Sequence, residues 1–105
     1  MAIRNVRLST TGPTVAFQAV GQQAITVMYI CNTSGTDATV NVYCIDSGDS
    51  TGSGDDNMIY SELSVTAHDT YVIDMEKIIL NSGDSIEVEA NIADVITVTT
   101  SSIAI

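Results

Sequence analysis

Ile25-Thr26-Val27-Met28-Tyr29-Ile30-Cys31-Asn32, then Thr33-Ser34-Gly35-Thr36-Asp37, then Ala38-Thr39-Val40-Asn41-Val42-Tyr43-Cys44-Ile45 is the stretch whose pattern sets the fold class. In its first part Ile25, Val27, Tyr29 and Cys31 alternate with Thr26, Met28, Ile30 and Asn32, the period of two that belongs to an extended strand. Both sets carry bulk, so a central strand is expected. The five residues that follow supply the Gly and Asp that tight turns use, which predicts a hairpin with Ala38 to Ile45 as the partner strand.

That hairpin bears on the two cysteines. Its register sets Ile30 near Val40 and Cys44 opposite the region of Thr26, about four residues or ~13 Å along the ladder from Cys31, too far for a disulfide. Two reduced, buried thiols are expected, which agrees with synthesis and retention in a cytosol. The first residues lack the basic-then-apolar order of a signal peptide, and no run approaches the roughly 18 apolar residues of a membrane span. Asn32-Thr33-Ser34 fits the glycosylation pattern but has no consequence without a secretory route.

Outward from this stretch, further short extended segments appear. Ile3 to Ser9 and Thr14 to Val20 precede it, with Pro13 between them where a missing N–H does no damage. Asp46 to Asn57 holds only Ser, Gly, Thr, Asp and Asn, which predicts a solvated, mobile loop that contributes almost no burial. Met58 to Val65 and Thr70 to Met75 resume the extended pattern around an Ala67-His68-Asp69 turn. Glu76 to Leu80 reads as a short apolar step, strand or single helical turn, before the turn Asn81-Ser82-Gly83-Asp84. Ser85 to Ala90 alternates cleanly, with Ile86, Val88 and Ala90 on one side and Glu87 and Glu89 on the other. Val95 to Ile105 alternates and then reverses phase, which predicts a bulge in the last strand near Ser101-Ser102. The expected fold is an all-β, single-domain antiparallel β-sandwich over residues 1–105, jelly-roll or Ig-like, with about eight short strands.

Charge narrows the partners. Thirteen carboxylates stand against three cations, Arg4, Arg7 and Lys77, for a formal net charge of −10. Such a body repels nucleic-acid phosphates and anionic lipid, so neither nucleic acid nor membrane is an expected partner. Two of the three cations fall in the first ten residues. Residues 1–13 are therefore read as a docking arm, with Ile3, Arg4, Val6 and Arg7 as the partner-docking residues.

Chemical motifs are weak. His68 is the only histidine and stands in a turn with no nucleophile and orienting group visible around it, so it reads as a surface residue. Asp46, Asp49, Asp55 and Asp56 could offer oxygens to calcium, but their spacing misses the EF-hand pattern and solvation is the preferred reading. Gly52-Ser53-Gly54 is neither a nucleophile elbow nor a phosphate loop. Glu87 and Glu89 read as neighbours on one outward strand face rather than as the acid and base of a glycosidase. Tyr29, Tyr43, Tyr60 and Tyr71 read as core and interface filling rather than a sugar platform. No catalytic residue, metal ligand or cofactor is expected.

The run Ile25 to Gly35 with Ala38 to Val42, then Ile59-Tyr60-Ser61, Asp69-Thr70-Tyr71-Val72, Ile78-Ile79-Leu80 and Gly83-Asp84-Ser85-Ile86, resembles small virion structural proteins of tailed phages, particularly those of marine bacteria and cyanobacteria. The resemblance covers roughly Ala24 to Ile105 and rests on strand and turn residues, so it carries over no active site. It implies a virion protein made in the host cytoplasm: a capsid decoration subunit on the major capsid protein, or a tail, neck or baseplate component, with homo-oligomers among its assemblies. A receptor- or carbohydrate-binding module is the reading from another class.

Overall fold

The computed structural model describes residues 2–49 and 52–105, so Ser50 and Thr51 of the expected mobile loop lie outside the described residues. The described chain is all-β. Its strands are β1 (Ala2–Arg7), β2 (Thr14–Gln18), β3 (Gln23–Asn32), β4 (Ala38–Ile45), β5 (Met58–Val65), β6 (Thr70–Leu80), β7 (Ser85–Ala90) and β8 (Ile96–Ala104). They form two four-stranded sheets, a first in the order β1-β8-β3-β6 and a second in the order β2-β7-β4-β5. Every pairing is antiparallel.

The order has a simple logic. β4 pairs with β5, β3 with β6, β2 with β7 and β1 with β8, as in one long hairpin, and the hairpin is rolled so that β8 also meets β3 and β7 also meets β4. This is the connectivity of a jelly roll. Apolar side chains of both inner faces interdigitate as the core, with Ile25, Met28, Ile30, Ile73, Ile96 and Val98 from the first sheet against Ala16, Val40, Val42, Ile86 and Val88 from the second. The Cα radius of gyration, 12.9 Å, is that expected of about 100 residues in one compact unit.

Three expectations are corrected. The first is the hairpin: β3 and β4 lie in different sheets, and Thr33 to Asp37 is an arch between them. A hairpin would set Ile30 and Val40 side by side on one face, whereas the arch sets the two strands on opposite walls of one core. Asn32, fully buried, fastens the arch by donating to Thr36 O (2.8 Å) and Val65 O (3.1 Å) and accepting from Ser34 N (3.0 Å) and Ser34 Oγ (2.8 Å). The cysteines are free, and what separates them is the sandwich itself, not an offset along a ladder: Cys31 belongs to the first sheet and Cys44 to the second. Both are half-buried.

The second correction concerns β8. Ile96, Val98, Thr100 and Ser102 keep one inward phase to the end of the strand, and the irregularity lies in β3, where the register shifts between Ile25 and Val27. Thr26, the extra residue, donates from Oγ1 to Ser101 O (3.1 Å). Ile103 and Ile105 are consequently left exposed, and the buried hydroxyls of Thr100 and Ser102 have no protein hydrogen-bond partner. The third correction is the detached arm. Ala2 to Arg7 pairs residue by residue with β8, and Leu8 just beyond it is fully buried, so the start of the chain is an edge strand of the sandwich. Likewise β6 runs unbroken to Leu80, with no helical turn.

Candidate docking surface

Because opposite partners in an antiparallel ladder share a face, the registers assign every described side chain of the first sheet to core or surface. Val6 pairs with Val98, whose side chain is inside, and itself packs against the core. Arg4 lies opposite inward Thr100 on the same side of β1 yet is exposed at the sheet edge. Ile3, Asn5 and Arg7 project from the outer face. Arg7 donates from Nη2 to Asp94 O at 2.8 Å, and Thr99 Oγ1 donates to Asn5 Oδ1 at 2.7 Å. Of the four residues named from the sequence, Ile3 and the two arginines are therefore surface groups along one sheet border, and Val6 is a packing residue.

Across that outer face run Arg7-Thr97-Cys31-Thr70, then Asn5-Thr99-Tyr29-Val72, then Ile3-Ser101-Val27-Asp74, and then Ile103-Ala24-Ile79. Among the described side chains of these rows, Arg7 and Asp74 alone are charged. Ten large hydrophobic residues are exposed on the described chain, and five of them, Ile3, Tyr29, Val72, Ile79 and Ile103, stand here at 42% to 69% exposure. Because these five stand in neighbouring rows of one face, they form a contiguous patch. Sequence reasoning singled out Ile3 and Arg7 at its border and missed the rest. The signal was present in the outward phase of Val27 and Tyr29, but it could not be separated from the core phase without knowing which set faced inward.

The second sheet presents the opposite character. Glu89 Oε1 accepts from Asn41 Nδ2 (3.0 Å) and from Tyr43 Oη (2.9 Å), while Asn41 Oδ1 accepts from Glu62 N (2.7 Å) where Glu62 bends the edge at φ 52°. Burial, reinforced by Glu89, raises the Tyr43 phenol above its ordinary range. Glu89 thus serves a structural network, and a shallow pocket of about 220 Å³ lined by Thr39, Asn41, Glu62 and Glu89 lies over it.

Other candidates from the sequence are placed as follows. His68 sits exposed in its turn at φ 58°, its N–H donating to Ser34 O (3.0 Å), and Ser34 directs its hydroxyl to Asn32 Oδ1. In the described part of the acidic loop, Asn57 Nδ2 donates to Gly52 O (2.8 Å) and its Oδ1 accepts from Gly54 N (2.9 Å). Asp84 reaches in from the β6–β7 turn to accept from Ser47 N (2.8 Å) and Asn81 N (2.9 Å), and these two backbone donors hold its carboxyl below the usual range. Among the described residues no three His, Cys, Asp or Glu side chains converge as metal ligands. Searched against known proteins, the chain matches no family model, no curated protein and no solved structure.

Proposed function

We propose that the chain is a non-enzymatic structural subunit of a tailed-phage virion, an outer capsid decoration protein seated on the major capsid protein through its β1 border. The observation that carries this reading is the segregation of charge. Arg4 and Arg7 lie along one exposed sheet edge beside exposed Ile3, in a molecule whose net charge is −10. An edge strand offers unpaired backbone groups to a partner's sheet or loop, and two cations there select an acidic partner while the rest of the body is held off. Jelly rolls also serve lectins and cupins, so the virion setting draws on the resemblance of Ala24 to Ile105 and not on the fold.

The test is a copy count by quantitative mass spectrometry on purified particles of the phage whose genome encodes the chain. Decoration predicts a stoichiometry near that of the capsid protein or its capsomers. A few copies, or dozens, would move the protein to the tail or neck, and its absence from particles would remove the virion reading.

A further inference from the structure

Beyond that reading, and standing without it, we infer that the outer face of the first sheet is where two copies of this chain pair, sheet on sheet. The occupant is argued from charge first. Two bodies of net charge −10 repel wherever their acidic surfaces meet, so self-association needs a face on which each copy is nearly neutral. The rows through Asn5-Thr99-Tyr29-Val72 and Ile103-Ala24-Ile79 provide it.

Symmetry supplies the second argument. A two-fold axis running along the strands between β8 and β3 sets β8 of each copy over β3 of the other and β1 over β6. Tyr29 then meets Thr99, Val27 meets Ser101 and Ala24 meets Ile103, so apolar groups and hydroxyls face one another. Arg7 then meets Thr70 and Asp74 meets Ile3, so no like charges of these rows face one another. The stacking is the aligned packing of twisted sheets, about 10 Å apart and rotated by about 30°.

Area sets the strength. Four strands about 4.8 Å apart and some seven residues long offer roughly 400 Å² in projection per copy, about 800 Å² for the pair, which is below the roughly 1,200 Å² of standard specific interfaces. A weak, concentration-dependent dimer follows, not an obligate one.

Sedimentation equilibrium over a wide concentration range, at about 0.01 M and about 0.5 M salt, tests it. The expected result is a monomer–dimer equilibrium tightening at least tenfold at the higher salt, because screening removes the repulsion of the acidic bodies. Val72→Glu, at an exposed position, should weaken the dimer at least tenfold with an unchanged circular dichroism spectrum. Val15→Glu, on the second sheet, should leave it unchanged. A wild-type chain that stays monomeric at every concentration and salt would overturn the inference and leave the face to an unrelated protein. So would a Val72→Glu variant that dimerises like wild type. The wild-type measurement needs no variant to fold.

Discussion

Asn32 carries more of the architecture than its polarity implies. Its carboxamide is wholly buried and makes four hydrogen bonds that hold the β3–β4 arch against the end of β5. Removing it takes a donor from Val65 O and from Thr36 O, which keeps the Ser34 hydroxyl, and an acceptor from Ser34 N. Asn32→Ala should therefore cost about 3 kcal/mol in denaturant unfolding. Asp84 acts at the surface and reports through pH. Its folded pKa is depressed below the ordinary 3.8 by the N–H groups of Ser47 and Asn81. The carboxylate therefore contributes stability that is present above that ordinary value and is lost as pH falls through the folded one. Asp84→Asn should flatten the acid limb of a stability–pH curve and leave its shape near neutrality unchanged.

At the scale of strands, face assignment gives adjacent residues opposite fates. Ile30 is fully buried and Tyr29 is 42% exposed, so Ile30→Ala should cost about 3 kcal/mol and Tyr29→Ala well under half of that. Truncation of residues 1–7 should cost about 2 kcal/mol or more, because it removes the β1–β8 ladder and Val6 from the core. A free arm would be lost without effect. What the sequence revealed at this scale follows from local physics. β3 is central, as its two bulky faces implied, and β5 and β7 match their expected bounds. Pairing was illegible because a five-residue Gly- and Asp-containing turn suits an arch as well as a hairpin, and the choice rests on which walls the core needs. The phase of β8 was misread for a related reason. Ile103 and Ile105 are the apolar residues at its end, yet Thr100 and Ser102 occupy the inward positions there.

For the whole molecule the governing fact is the division between an acidic body and one sheet face, bordered by Arg4 and Arg7, whose described rows hold one cation and one carboxylate. Self-repulsion at −10 destabilises the compact state and is screened by salt, so the midpoint of thermal unfolding should rise between low and moderate salt. Arg4→Ala with Arg7→Ala should leave that midpoint within a few degrees, since both groups are exposed and Arg7 makes one surface hydrogen bond. The same pair should weaken attachment to particles most at low salt. The candidate site was half legible: two cations stood out in an acidic sequence, whereas that sheet face is assembled from four strands spread between Ile3 and Ile103 and exists only once they are paired. The most direct test of the proposed role is a cryo-electron microscopy map of the particle whose genome encodes the chain. It should show eight-stranded sandwiches on the capsid exterior, β1 against the capsid protein and the Glu62–Glu89 sheet toward solvent. A shell without such density, or one gripped through the Glu62–Glu89 sheet, would contradict it.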